Sequence, residues 1–334
     1  RIGFEIKLNL KRKIMVNPDK IIVGIRDSKL SQIQTQEFIS LAKKNIVGIN
    51  QNTFHIKFIK TTGDIHNSER LDKMGGKGLF VKEIESHILN GEIDIGVHSM
   101  KDMPATSHHE LEIFCLMNRL DNSDVLISNN GKTLSSLDSG AVIGTSSIRR
   151  RAQILNVRSD LKIKLLRGNV DTRMKKLKNR EYDAIILAYA GLKRLGMEAE
   201  ITEILDHRIF LPAGGQGLVG VQSKKNSPFR KLFKKINDES SEMTNIAERN
   251  FLKTINANCN SPVSVYARIN HENINIDCQV FKHDGTELFK KNLTEKKQNY
   301  NIVGNQLGEL VLKSLGQNTI DKLDILEDDF NYPA

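Results

Sequence analysis

Short apolar runs alternate with amphipathic stretches from residue 20 to about residue 190. Short β-branched or alternating runs indicate strands, and apolar positions spaced three or four apart indicate helices. The first series predicts strands at 21–25, 54–59 and 93–97, a helix that Ser28 caps and that continues through Leu41, and a helix at 79–89. The second series predicts strands at 125–127, 141–144, 163–166 and 182–188 and helices at 147–157 and 170–177. Strands that alternate with helices of this length indicate parallel sheets with helical crossovers, so two series predict two α/β domains that face each other.

The pattern changes near residue 240. A helix is predicted at 243–255, then strands at 262–269, 274–281 and 287–293, and a last helix at 302–315. This order is typical of an α+β domain, and we expect a third, smaller domain here. Within the first series, residues 61–78 are polar, rich in glycine and without clear periodicity. A connection of that length in a compact domain is usually functional or disordered.

The composition is that of a protein with an ordinary buried core, since 39% of the 334 residues are hydrophobic and 27% are charged. No apolar run reaches the roughly 18 residues that a membrane helix needs. The net charge is +10, from 50 Lys and Arg against 40 Asp and Glu, and it indicates an anionic partner such as nucleic acid, a membrane surface or a polyanionic small molecule. The cysteines are odd in number and form no CxxC pair, which favours a reducing compartment without a disulfide framework.

Residues 1–19 form a basic extension that we exclude from the predicted fold. The segment is rich in Lys and Arg and has no apolar stretch typical of a secretory signal. Two interpretations stay open, the remnant of an organellar transit peptide and a solvated basic tail. Together with the lysine- and asparagine-rich composition, the first interpretation predicts a plastid location, with the cytoplasm as the alternative.

Polar side chains follow nearly every predicted strand of the two α/β series, at the point where the strand ends. Ligands of open α/β sheets collect at the carboxyl ends of strands and at helix N-termini. Arginine offers a planar fork for carboxylate or phosphate, so the clustering predicts a cleft for a ligand with several carboxylates. An isolated arginine would be interpreted as a surface charge, and only the clustering favours a site. The cluster contains Arg26, Ser28, Ser99, Lys101, Thr145, Ser146, Ser147, Arg149, Arg150, Arg167, Gly168, Arg173 and Arg194.

A single acid, Asp102, stands among these groups in the sequence. A carboxylate beside Lys101 and several arginines stays ionised at neutral pH, because nearby positive charge favours the anion. Asp102 could then stabilise a cationic intermediate or accept a hydrogen bond from an N–H group of the ligand. The alternative is a structural salt bridge to a neighbouring arginine, and the sequence leaves both open.

Other motifs are interpreted structurally. The G-x-G-x-x-G match at 215–220 precedes a predicted strand instead of a helix, which is the wrong order for a dinucleotide site. We expect no metal site, because His108 and His109 form a loop pair without partner histidines nearby. The basic runs at 224–225 and 231–235 have almost no nearby aromatic residues beyond Phe229 and Phe233 and are predicted to be solvated helix faces. Cys259 lies in a polar turn, where its thiol could be exposed and reactive, whereas Cys115 and Cys278 lie in predicted strands.

Four segments in a consistent order resemble the porphobilinogen deaminase (hydroxymethylbilane synthase) family. These segments are VHSMKDMP at 97–104, GTSSIRR at 144–150, RGNVDTR at 167–173 and AGLKR at 190–194. The resemblance also takes in the segments at 61–64, 78–80, 215–217 and 247–249. It extends from about residue 21 to residue 265 and is weak beyond residue 266.

The resemblance implies three domains and a two-domain cleft. The first two domains would be α/β and like type II periplasmic binding proteins, and the third a smaller α+β domain. The implied boundaries are 20–118 with 218–239 for the first domain, 119–217 for the second and 240–334 for the third. The implied protein is a monomeric transferase of haem and tetrapyrrole synthesis, without nucleic-acid or membrane partners. It would condense four porphobilinogen molecules head to tail into hydroxymethylbilane, with release of ammonia.

The resemblance also implies roles for residues. A dipyrromethane cofactor would be attached through a thioether to Cys259, and the arginines and hydroxyls of the cluster, with Ala188 and Gln216, would bind cofactor and substrate. Asp102 would hydrogen-bond pyrrole N–H groups and stabilise developing positive charge, while Lys101 would help to hold the substrate. Phe80 would stack over the reacting ring, and residues 61–78 would form a lid that excludes water.

Two segments depart from the family pattern. Ala257 and Asn258 precede Cys259 where the family usually has two glycines, which leaves the fit of the cofactor turn open. Gln222 replaces a usual acid, and neither departure removes a group with an assigned chemical role.

Two rival functions are retained. A non-enzymatic solute-binding module of the same two-domain type would need the arginines but neither Asp102 nor Cys259. A nucleic-acid-binding protein is motivated by the net charge alone.

Overall fold

The computed structural model describes residues 20–60, 81–258 and 260–323. Three β-sheets organise these described residues, two with five strands and one with three. We call each sheet with its helices the first, second and third unit, in the order in which the chain enters them.

The first unit has the strand order β2-β1-β3-β10-β4, and β10 joins it after the chain has passed through the second unit. Strands β1, β2 and β3 are parallel, whereas β10 runs antiparallel to both β3 and β4. The predicted parallel arrangement therefore holds for β1, β2 and β3, whereas β10, which returns from another unit, enters the sheet in the reverse direction. The unit contains β1 (Ile21–Arg26), α1 (Lys29–Asn45), β2 (Phe54–Ile59), α2 (Lys82–Leu89), β3 (Ile95–Ser99), β4 (Leu111–Leu116), β10 (Val219–Lys224) and α6 (Phe229–Phe233).

Aromatic rings fill the core of the first unit. The Phe233 ring lies 5.1 Å from that of Phe38 and 6.3 Å from that of Phe54, measured between centroids. Helix α6 therefore anchors its apolar face in the core, while Lys231, like its neighbours at 234 and 235, is exposed. The predicted solvated basic face is confirmed at 231–235.

The second unit repeats this arrangement with the strand order β7-β6-β8-β5-β9. Strands β6, β7 and β8 are parallel, and β5 runs antiparallel to β8 and β9. The helix α5 directly after β8 was not predicted from the sequence. The unit contains β5 (Asp124–Ser128), β6 (Val142–Thr145), α3 (Ile148–Val157), β7 (Lys162–Leu165), α4 (Val170–Lys178), β8 (Ala184–Ala188), α5 (Tyr189–Leu195) and β9 (Glu203–Ile204).

The third unit is an antiparallel three-stranded sheet covered by two long helices. The helices lie against each other so closely that a Cβ atom added at Gly304 would come within 2.0 Å of the Ala247 carbonyl oxygen. The unit contains α7 (Glu239–Thr254), β11 (Val263–Asn270), β12 (Asn273–Phe281), β13 (Glu287–Lys296), α8 (Tyr300–Leu315) and α9 (Gln317–Leu323). The expected fold class, two α/β units and a smaller α+β unit, is confirmed, while the domain boundaries stay a prediction.

The described helices include none with both the length and the apolar character that crossing a membrane requires. Cys115 and Cys278 lie in β4 and β12, as predicted, and both are buried. Burial raises the pKa of each thiol to about 12, so neither is a reactive thiolate at neutral pH.

Candidate active site

The carboxyl end of the first sheet gathers the predicted residues of that unit into one pocket. Arg26 ends β1, and Ser28 caps α1 by accepting a hydrogen bond from the Ser31 N–H at 3.2 Å. After β3, a 3₁₀ turn places Lys101 and Asp102 in the same pocket lining. The strand ends and helix cap therefore meet as the topology predicts.

Asp102 is only loosely paired. The distance between Arg26 Nη1 and Asp102 Oδ2 is 3.9 Å, and the two side chains are 26% and 34% exposed. An ion pair of this length and exposure leaves carboxylate oxygens available to a ligand. The geometry is compatible with a ligand-binding Asp102 in the pocket and does not show the tight structural salt bridge that the sequence left open.

The first and second units face each other across the site. The pKa of Arg173 in the second unit is lowered to about 10 by burial and by Arg150, with an opposing effect of Asp102 and a further lowering by Arg167 and Arg26. The two units are also in direct contact beside the site, since Arg194 Nε of the second unit donates to Glu37 Oε2 of the first at 2.8 Å. We call the space between the carboxyl edges of the two sheets the cleft.

Lys101 lies exposed in this cleft. Desolvation by the surrounding protein lowers the pKa of Lys101 to about 8, and Arg150 lowers it further, while Asp102 and Asp124 oppose the shift. The pKa of Lys101 is therefore closer to neutral than that of an ordinary lysine, which suits a group that binds an anion or transfers a proton.

Arg149 and Arg150 are buried and share a partner that the sequence analysis missed. Arg149 Nη1 donates to Asp124 Oδ2 at 2.7 Å, and Arg150 Nη2 donates to Asp124 Oδ1 at 2.7 Å. Gln216 Nε2 donates to the same Oδ1 at 2.8 Å. Burial disfavours the charged form of Asp124, but the two arginines more than offset this and hold its pKa well below the usual range. Asp124 is therefore a second acid at the edge where the sequence had indicated only Asp102.

Asp124 reaches this edge because of strand direction. It is the first residue of β5, which runs antiparallel to β8, and it lies opposite Ala188 at the carboxyl end of β8. The first residue of an antiparallel strand lies beside the last residue of its parallel neighbours. The only signal for Asp124 in the sequence was an acid at the start of a strand-like run. That signal places Asp124 at the carboxyl edge only if the direction of β5 is known.

The second sheet places its predicted hydroxyl and arginine groups at the same edge. Ser147 caps α3, accepting from the Arg150 N–H at 3.4 Å, and the Thr145 hydroxyl accepts from the Ser147 N–H at 3.1 Å. Arg173 folds back to donate from Nε to the Gly168 carbonyl at 2.7 Å. Its Nη2 reaches Ser146 Oγ at 3.5 Å. Gly168 has a φ of +111°, a conformation that favours glycine, so the turn after the strand depends on this residue.

The third unit is tied to the connections between the other two through one buried carboxylate. Glu248 on α7 accepts hydrogen bonds from Arg119 Nη1 and Nη2 at 2.7 and 2.8 Å and from the Gly215 N–H at 2.7 Å. A Cβ atom added at Gly215 would lie 2.8 Å from the Met100 carbonyl carbon, next to Lys101. Glu248 therefore holds a segment that packs directly under the turn carrying Asp102.

The Gln222 departure has a structural context. Gln222 is buried on β10, and its Nε2 donates to Glu85 Oε1 at 2.7 Å. An acid at this position would bring a second carboxylate to Glu85. The neighbouring His98 lines the pocket as a neutral ring, because burial lowers its pKa to about 4, with Gln222 opposing and Arg26 adding to the shift.

Three elements of the predicted site, Cys259, Phe80 and the segment 61–78, lie outside the described residues. The residues next to Cys259 are described. The Asn258 side chain accepts the Asn260 N–H at 2.7 Å, and the Asn258 N–H donates to Ser261 Oγ at 2.9 Å. The asparagine that replaces the usual glycine thus hydrogen-bonds its own turn.

The family model described as porphobilinogen deaminase, dipyromethane cofactor binding domain, matches residues 21–230, and the model described as porphobilinogen deaminase, C-terminal domain, matches residues 243–313. The porphobilinogen deaminase of Geobacillus sp. is 45% identical over 307 residues, covering 91% of this chain and 97% of that protein. The porphobilinogen deaminase of Exiguobacterium sp. is 42% identical over 298 residues, covering 89% and 95%.

Solved structures similar to this chain are more distant. The VFT2 domain of Bordetella pertussis BvgS has a TM-score of 0.41 at 14% identity and covers 66% of this chain and 87% of that chain. The methionine-binding protein MetQ has a TM-score of 0.42 at 12% identity and covers 68% and 93%.

Proposed function

The chain belongs to the porphobilinogen deaminase family, and on this premise we propose that it joins four porphobilinogen molecules head to tail into hydroxymethylbilane, with release of ammonia, on a dipyrromethane primer. The observation that carries the proposal is the partly exposed Asp102, which shares the cleft with Lys101, Arg26 and Arg173. Membership in an enzyme family favours this function over the solute-binding module.

The charge of the cleft suits this substrate. Each porphobilinogen ring carries two carboxylates, so a growing chain accumulates negative charge. Arginine forks and helix N-termini bind carboxylates in a fixed orientation. We assign carboxylate binding to Arg26, Ser28, Thr145, Ser146, Ser147, Arg149, Arg150, Arg167, Arg173 and Arg194. For Arg149 and Arg150 the binding must occur alongside Asp124, which accepts hydrogen bonds from both.

The residues present fit a dipyrromethane cofactor. A carboxylate that is 34% exposed lies beside a set of cations, which matches a ligand with N–H donors at its centre and acid groups at its edge. When bound, dipyrromethane supplies the pyrrole carbon to which the first substrate ring is joined. Asp102 would hold the pyrrole N–H groups, and Arg26, Arg167 and Arg173 would hold the acid side chains.

Asp102 has a second role in the proposed reaction. Loss of ammonia from porphobilinogen leaves a cation on the substrate ring, and a carboxylate fixed beside it stabilises the charge as it develops. Lys101, with a pKa of about 8, can supply a proton to the departing ammonia or hold a substrate carboxylate as an ammonium.

We propose Cys259 as the cofactor attachment point through a thioether. The support is chemical, since Cys115 and Cys278 are buried and their thiol pKa values are raised to about 12. In the purified protein, the denatured intact mass should exceed the sequence mass by two linked pyrrole units. Cys259→Ala should remove that excess, and a variant that still carries the excess would refute the assignment.

The reaction itself is tested by supplying porphobilinogen to the purified chain. We expect four ammonia molecules released per tetrapyrrole, and intermediates of one, two and three added rings on the denatured protein. A chain that loads the cofactor but releases no ammonia would contradict the proposed function.

Assembly and location stay predictions. We propose a monomer, and a dimer mass in sedimentation would contradict this. A plastid location, with the cytoplasm as the alternative, is not supported by the named relatives, which are bacterial. Imaging of a fluorescent fusion in the source cell would decide between the two.

A further inference from the structure

Helix α1 presents two polar side chains, one turn apart, to two predicted binding residues on opposite sides of the cleft. Gln34 Nε2 donates to Ser99 Oγ of the first unit at 2.8 Å. Glu37 Oε2 accepts from Arg194 Nε of the second unit at 2.8 Å. Helix α1 therefore hydrogen-bonds one predicted binding residue of the first unit and one of the second.

The helix is well fixed for this role. Its adjacent face buries Phe38, Ile39 and Ala42 in the core of the first unit. On the cleft side, a Cβ atom added at Gly191 on α5 would lie 3.7 Å from Leu30 Cδ2, an ordinary van der Waals distance. Positions 30, 34 and 37 share one face of an α-helix, so the contact between α1 and α5 continues into the ion pair.

The contact with Glu37 uses one of the three guanidinium nitrogens of Arg194. Glu37 meets the guanidinium at Nε, and no other hydrogen bond of this side chain is found within the described part of the chain. The Arg194 side chain is 4% exposed, so its stem cannot swing freely, whereas Glu37 is 39% exposed. A hydrogen bond to Nε sets the plane of the guanidinium and leaves the two terminal nitrogens as a fork for another carboxylate.

We propose that Glu37 is a positioning residue, which orients Arg194 so that its terminal nitrogens bind a carboxylate of the pyrrole chain. The inference rests on the proposed function. Nothing in the motifs shared with the family contains position 37, so the role comes from the contact alone. Glu37 would act through Arg194 without touching the substrate.

The test is steady-state kinetics of the cofactor-loaded enzyme with porphobilinogen. Glu37→Ala should raise KM about three- to fivefold, the range of a partly exposed ion pair, and leave kcat within about twofold. Glu37→Gln keeps an acceptor oxygen and should recover most of the wild-type KM. Gln36→Ala, at the exposed neighbouring position of α1, is the matched control and should behave as wild type.

The double variant shows whether Glu37 acts through Arg194. Arg194→Ala should raise KM by itself, and Glu37→Ala should add nothing in that background. The inference would be overturned by additive effects of the two substitutions or by an unchanged KM in Glu37→Ala. A lower KM in Glu37→Ala, from release of a competing carboxylate, would also overturn it. A wild type that releases no ammonia overturns the proposed function as well, whereas an active wild type with an unaffected Glu37→Ala overturns the inference alone.

Discussion

Asp102 in the first unit and Asp124 in the second are both aspartates at the carboxyl edge of a mixed sheet, and both lie beside arginines. Asp102 is 34% exposed and lies 3.9 Å from one arginine, whereas Asp124 is fully buried with arginine nitrogens at 2.7 Å from each of its oxygens. The Asp102 carboxylate can still accept hydrogen bonds from a ligand, whereas the oxygens of Asp124 already accept hydrogen bonds from protein donors. Exposure and hydrogen-bond saturation, and not residue type or position at the edge, therefore distinguish a carboxylate that can bind a ligand from a structural one.

Removing the Asp124 charge should give the largest effect on stability. Asp124→Asn leaves two buried guanidinium groups without their counter-charge, and we expect the free energy of unfolding to fall by about 3–5 kcal/mol. Denaturant unfolding measures the loss. Asp138→Asn in the same unit, where a highly exposed carboxylate meets Lys132, is the control and should change stability little. A wild-type midpoint for Asp124→Asn would show that the buried cluster is not structural.

Removing the Asp102 charge should reduce activity and leave stability unchanged. Asp102→Asn should lower the rate of ammonia release by about 100-fold or more, since the cation loses its fixed counter-charge. The unfolding midpoint and the loading of the cofactor should stay as in wild type. Retention of more than a tenth of the turnover would place Asp102 with Asp124 as a structural carboxylate.

The pH dependence probes the cation beside Asp102. Because the pKa of Lys101 is about 8, kcat/KM should fall as pH rises through 8, by up to about tenfold per pH unit, when the amine loses its proton. Lys101→Arg stays charged and should lose this alkaline limb, so a limb that persists in the variant would assign the titration to another group.

The lowered pKa of Lys101 should also make the stability of the chain depend on pH. The pKa of Lys101 in the folded chain is below the ordinary 10.5, so the unfolded chain binds more protons between about pH 8 and 10.5. This group therefore makes the free energy of unfolding rise with pH across that window.

The smallest effect concerns the loose ion pair itself. Arg26→Gln should change the free energy of unfolding by less than about 1 kcal/mol, because both side chains are partly exposed. Thermal or denaturant unfolding at low and high salt would measure it. A loss as large as that of Asp124→Asn would mean that Arg26 and Asp102 form a structural pair.

Much of the fold was accessible from periodicity. The strand predicted at 54–59 has the bounds Phe54–Ile59, and the helix predicted after Ser28 begins at Lys29 with that serine as its cap. The strand predicted at 93–97 lies two residues later, at Ile95–Ser99, and the helix after β8 was missed. Propensity and burial pattern are local, so they place elements well and their ends less well.

For the site, residue types and motifs in the sequence determined which groups line the carboxyl edges, and the comparisons confirmed the family that those motifs indicated. Only the tertiary structure decided the direction of β5, and with it that Arg149 and Arg150 bind Asp124, 25 and 26 residues away. It alone paired Glu37 with Arg194, across 157 residues. The physical reason is that hydrophobic periodicity records which face of an element is buried, whereas the partner of a buried charge depends on how distant elements pack.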